Sequence, residues 1–113
     1  MKIKLGSKKI NVKVKKSNGI CGLMFRKIET SALLLNSDKP IHSFFVFFPF
    51  LVLWLNDKNN VVEHKIVMPF SFYEKSKKKF SKIVEIPVSQ RYHSVVKFIV
   101  GERFKKKRTY NIL

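Results

Sequence analysis

The sequence predicts an all-β domain with minor helix: a compact β-sandwich or distorted β-barrel of about seven or eight short strands, with one or two helical turns. Three observations lead there. The chain is rich in strand-forming residues, with 11 Phe among its 113 residues and many Val and Ile. Lys9–Lys15 alternates strictly, setting Ile10, Val12 and Val14 on one face and lysines with Asn11 on the other. Turn signals recur at short intervals, at Gly6-Ser7, Ser17-Asn18-Gly19, Asn36–Pro40 and Asn56–Asn60. A chain of this length is expected to form one domain, residues 1–104, with a basic tail over 105–113.

In chain order, Lys2–Leu5 and Lys9–Lys15 are predicted strands joined across Gly6-Ser7. Ile20–Ile28 lacks period two, and Leu23, Met24 and Ile28 share a helical face, so a short helix or tight turn is expected there. Ala32–Leu35 is a short apolar strand. Ile41–Leu55 is the most apolar stretch and must be buried. Pro49 cannot donate to a strand ladder, so the stretch divides into strands at Ser43–Phe47 and Phe50–Leu55, bent at Phe48-Pro49. Asn56–Asn60 closes a hairpin onto Val61–Met68. Phe70–Ser81 is expected to be a long, exposed, mobile loop. Lys82–Ile86 is a strand ended by Pro87, Val88–Ser94 a helical turn, and Val95–Phe104 a last strand interrupted at Gly101.

Lys and Arg total 24 against 7 Asp and Glu, for a net charge of +17. AT-rich coding enriches Lys, Asn, Ile and Phe together. It does not explain the scarcity of acids, since Glu codons tolerate the same bias. An anionic partner is therefore a candidate: nucleic acid, or an anionic membrane surface. Two runs concentrate the charge, Lys75-Ser76-Lys77-Lys78-Lys79 and Lys105-Lys106-Lys107-Arg108. Phe72, Tyr73 and Phe80 flank the first, Phe104 and Tyr110 the second. Such residues neutralise phosphates and stack bases. In the competing reading, Phe72 and Phe80 anchor the loop to the core and the lysines are merely solvated.

Other chemistry finds little support. The single cysteine, Cys21, has no disulfide partner and fits a reducing cytosol. Ile41–Leu55 is shorter than the roughly 18 residues of a spanning helix, so no transmembrane span is expected. The first sixteen residues lack the apolar core of a signal peptide. His42, His64 and His93 have no metal-ligand spacing, and no nucleophile elbow or phosphate loop occurs. Glu63 and Glu85 lie on separate predicted strands, where a carboxylate pair would have to converge in a cleft. No catalytic residue, metal or cofactor is assigned, and a non-enzymatic binding or accessory role is expected.

Several boxes occur in an order that resembles the family called domain of unknown function 192, small β-rich prokaryotic domains. They are Gly22-Leu23-Met24 with Arg26, Ala32–Leu35, His42-Ser43-Phe44-Phe45-Val46-Phe47-Phe48-Pro49, the Leu53–Val62 hairpin, Ile83–Pro87 and Val100-Gly101-Glu102. The resemblance spans about Val12 to Phe104. It implies a compact β fold and a possible motif site at Gly22, Met24, Arg26, His42 and Glu85, with Arg26 and Glu85 as an ion pair. It implies no activity, because the family's function is unassigned. Val46, Phe47 and Leu51 stand where the family carries Met, a basic or polar residue, and Asp, so a shared site would be altered here.

Overall fold

The computed structural model describes residues 1–17, 23, 26–41, 46–70 and 74–101. Among these residues seven strands run in chain order: β1 (Lys2–Leu5), β2 (Lys8–Asn11), β3 (Val14–Lys16), β4 (Ala32–Asn36), β5 (Phe50–Leu55), β6 (Val61–Val67) and β7 (Lys82–Pro87). A 3-10 turn, Gln90–Tyr92, leads into the helix α1 (His93–Val100). β1 and β2 form a two-stranded ribbon, and the other five strands form one sheet in the order β3-β4-β7-β5-β6. The β3–β4 pair is parallel and the remaining pairs are antiparallel.

The apolar run that dominates the sequence owes its composition to β5. This strand lies between β7 and β6, and all six of its side chains are buried. Leu51, Leu53 and Leu55 point to one side with Val84 and Ile86 of β7. Phe50, Val52 and Trp54 point to the other, with Leu33, Leu35 and Ile83. A strand covered on both faces needs apolar residues at every position, so alternation disappears. Each such side chain contributes about 2–3 kcal/mol by leaving water.

One face is closed by α1 and the ribbon, through Val96, Ile99, Tyr92, Ile3 and Val12. The other is closed by non-strand segments carrying Leu23, Ile41, Val46, Phe48 and Phe80. The Tyr92 hydroxyl fastens the first layer. It accepts a hydrogen bond from the Ala32 N–H at 2.8 Å in a buried setting, and Arg91 lies 5.2 Å from the Tyr92 ring centre.

Three expectations need correction. The alternating Lys9–Lys15 segment is not one strand. It breaks at Val12-Lys13, where the Val12 N–H bonds to the Met1 carbonyl at 2.8 Å and the chain passes from the ribbon to the main sheet. Val95–Phe104 is not a strand where described. Residues 93–100 form α1, because Tyr92, Val96 and Ile99 fall at helical spacing and all three are buried. Its β-branched residues favour strands only weakly, and tertiary packing overrides that preference. Gly101, with φ of 78°, ends the helix and bonds back to the Lys97 carbonyl. Val46 and Phe47 belong to no strand, while the remaining part of that expected element, 43–45, lies outside the described residues. Residues 74–81 of the expected Phe70–Ser81 loop form no named strand or helix, with the lysines exposed and only Ser76 and Phe80 buried. In 20–28, the described residues show tight turns, with Arg26 N–H bonded to Leu23 O and Thr30 N–H to Lys27 O.

The loops carry the conformations their residues favour. Asn59 has φ of 65°, which Asn tolerates, and closes the β5–β6 hairpin. Phe70 has φ of 64°, a left-handed conformation costing a bulky residue about 1–2 kcal/mol. No helix among the described residues is long and apolar enough to cross a membrane.

Candidate anion-binding site

Residues 74–81 do not hang free. They run along the β5–β6 side of the sheet as a strap, secured at intervals. Glu74 exchanges both backbone hydrogen bonds with Ile41 at 2.8 Å, and its carboxylate accepts from Lys65 Nζ at 2.7 Å. Ser76, only 5% exposed, donates its hydroxyl hydrogen to Glu63, and its oxygen accepts the Lys78 N–H at 3.0 Å. Phe80 is buried, with its ring edge-on to Trp54 at 6.4 Å between centres. Ser81 N–H bonds to the Leu55 carbonyl at 2.9 Å, and its hydroxyl donates to Asp57 at 2.5 Å.

Between these anchors Lys75, Lys77, Lys78 and Lys79 are all exposed. The sequence suggested two readings of this run, and these features belong to the second, in which Phe80 anchors the segment and the lysines are solvated. Phe80 does anchor the segment, and the lysines do face solvent. What the sequence did not reveal is that the backbone carrying them is tied down at Glu74, Ser76, Phe80 and Ser81.

The strap ends at a cleft of about 560 Å³ beside the β5–β6 turn. Phe80 and Val62 supply its apolar side, and Lys58, Lys79, Asn60 and Ser81 bring polar groups. Val62 is the extra residue of a β-bulge, since Leu55 pairs with Val61 and Trp54 with Glu63. The turn is rigid. Asn56 Oδ1 accepts the N–H groups of Lys58 at 2.9 Å and Asn60 at 3.0 Å, and Lys82 Nζ donates to Asn59 Oδ1 at 2.7 Å. Asp57 also lines the cleft, where its carboxylate accepts the Ser81 hydroxyl. Among the described residues no hydrogen bond or ion pair engages the Lys58 and Lys79 ammonium groups. Nothing in the sequence singles out Lys58, because a lysine in a hairpin loop looks like any other surface lysine. Asn56→Ala is expected to lower stability by about 1 kcal/mol through loss of these two hydrogen bonds, seen as a lower urea midpoint.

The residues of the resembled motif are distributed differently. Gly22, Met24 and His42 lie outside the described residues, as do Lys105, Lys106, Lys107 and Arg108, and the flanking Phe72, Tyr73, Phe104 and Tyr110. Arg26 is exposed at the end of the Leu23–Arg26 turn. Glu85 is 4% exposed on the strap side of β7, between Leu33 and Val52 on the neighbouring strands. The expected Arg26–Glu85 ion pair is not formed. Glu85 instead accepts a hydrogen bond from the Leu23 N–H, and its Oε1 has no partner. Burial pushes its pKa up to about 7, and the Leu23 N–H pulls only weakly the other way. Leu51, where the resembled family carries Asp, is fully buried among the apolar residues under α1.

Glu63 and Glu85 do not make a carboxylate pair. β5 separates their strands, roughly 10 Å across the sheet, and Glu63 is engaged by Ser76. His64 points away from Glu63, onto the opposite face. No group of three metal-ligating side chains converges among the described residues. Compared with models of protein families, with curated proteins and with solved structures, the chain has no match.

Proposed function

We propose that this protein is a non-enzymatic binding or accessory domain, of the type that the domain of unknown function 192 boxes resemble, and that its partner is an anionic polymer, nucleic acid. The observation that carries this is the strap. Four exposed lysines lie within one short segment whose backbone is tied down by buried or bonded neighbours at Glu74, Ser76, Phe80 and Ser81. Fixing these cations before binding removes part of the ordering cost that a free lysine run would meet. The net charge of +17 adds long-range attraction. The reducing cytosol that suits the lone Cys21 also holds abundant nucleic acid.

A labelled single-stranded oligonucleotide, titrated at several salt concentrations, tests the proposal. Four phosphates neutralised at about 0.7 counterion each give a log–log slope near −3. Absence of binding at low salt contradicts it. Binding only to vesicles of anionic phospholipid moves the partner from nucleic acid to a membrane surface.

A further inference from the structure

Among the described residues, three large apolar side chains are exposed: Phe47 at 60%, Phe70 at 50% and Met68 at 42%. Phe47 and Phe70 meet edge to face, with ring centres 5.6 Å apart and planes at 73°. Eleven Phe residues are available to fill the core, yet these two rings stand in water. Phe70 does so from a left-handed backbone conformation that a bulky side chain rarely adopts. Strain combined with exposure contributes nothing to stability, and points to a ring displayed for contact.

The pair lies at a defined place relative to the strap. Phe50 pairs with Val67 at one end of the β5–β6 ladder, and Phe47 and Phe70 each lie three residues beyond that pair. The strap starts near that same end, where Glu74 meets Lys65, two residues before Val67 on β6. It finishes at the Leu55 end, where Lys79 and Lys58 flank the cleft. One edge of the molecule therefore carries an aromatic pair, then a lysine row, then a cleft with an apolar floor. The length of β5 sets the track at roughly 17 Å. That is about five nucleotides at a stacked rise of about 3.4 Å.

We propose that Phe47 and Phe70 form a base-stacking platform, so that the domain takes single-stranded nucleic acid, with bases on the aromatic pair and phosphates along Lys75–Lys79. This rests on the polyanion reading above and adds the strand preference. Exposed rings beside a cationic groove bind unpaired bases without sequence preference, whereas duplex DNA buries its base faces. A lipid surface fits less well, because three exposed apolar side chains, Phe47, Met68 and Phe70, do not make a broad apolar face.

Fluorescence anisotropy with a twenty-nucleotide oligo(dT), its duplex with oligo(dA), and vesicles of mixed anionic and neutral phospholipid decides the matter. The native chain is expected to bind the single strand at least tenfold more tightly than the duplex. Phe47→Ala and Phe70→Gly are each expected to weaken single-strand binding about tenfold, with the duplex affinity and the salt slope unchanged. Phe70→Gly also relaxes the backbone, so lost affinity with equal or higher stability isolates the ring from the fold. If both variants bind the single strand as the native chain does, or lose duplex affinity equally, the stacking platform is overturned while lysine-dependent binding stands. If the native chain binds neither nucleic acid, the polyanion reading falls with it. Binding to vesicles alone overturns both.

Discussion

Replacing Glu85 by Gln is expected to stabilise the protein by about 3 kcal/mol at pH 8 and to leave stability nearly unchanged at pH 4. The cause is a carboxyl sealed in the apolar side of the sheet, with one N–H donor from Leu23 and a second oxygen unpartnered. Its pKa in the folded protein is about 7, above the ordinary 4.5. Between those two values the folded state binds more protons than the unfolded one, so stability falls as pH rises through that window. Below it, Glu85 is neutral in both states and costs nothing of this kind. Above it, the folded protein carries a buried charge, and the rise from 4.5 to about 7 corresponds to about 3 kcal/mol. Gln keeps an acceptor for the Leu23 N–H and never ionises. Urea unfolding of both proteins from pH 4 to pH 8 measures the difference. A native-minus-variant difference that stays flat with pH would show that the carboxyl is not sealed.

Phe80→Ala tests the strap from the opposite direction, since it removes no charge. Phe80 is the main apolar anchor of residues 74–81, buried and edge-on to Trp54. Truncation is expected to cost about 3 kcal/mol, from the lost transfer of the ring, the cavity left over Trp54 and the lost aromatic contact. The remaining anchors are Glu74 and Ser76 toward one end and Ser81 beyond Lys79, so the segment between Ser76 and Ser81 loosens while its ends stay held and the fold persists. Affinity for an oligonucleotide should then drop several-fold with net charge unchanged, because the lysine row must be ordered on binding. The check is chemical denaturation together with anisotropy on the same sample. Unaltered affinity in a clearly destabilised variant would mean that the lysines act only through their number.

Much of the fold was legible because its punctuation is chemical. Pro49 and the Asn56–Asn60 turn bound β5 where expected, and Pro87 is the last residue of β7. α1 was hidden by composition: Val95, Val96, Ile99 and Val100 look like strand residues, and only the spacing of the buried Tyr92, Val96 and Ile99 marks a helix. The strap was hidden for a different reason. Its anchors are single residues, Ser76 and Phe80, in a lysine-rich segment, and their partners Glu63 and Trp54 are distant in the chain. Local pattern carries no information about such contacts. The lysine run itself was plain in the sequence, but its rigidity was not. Nor was the exposure of Phe47 and Phe70, because within a Phe-rich stretch only tertiary packing decides which rings are covered. The sealed setting of Glu85 follows from β7 lying inside the sheet, between β4 and β5.

The claim that binding resides in the strap, and not in net charge, is tested most directly by two variants of equal charge. One replaces Lys75, Lys77, Lys78 and Lys79 by Gln. The other replaces Lys8, Lys9, Lys13 and Lys15, exposed lysines on or next to β2 and β3. Oligonucleotide affinity at one fixed salt concentration is the measurement. The strap variant is expected to lose more than roughly tenfold in affinity, and the β2–β3 variant less than about threefold. Equal losses in the two would contradict a localised site and leave only diffuse electrostatic attraction.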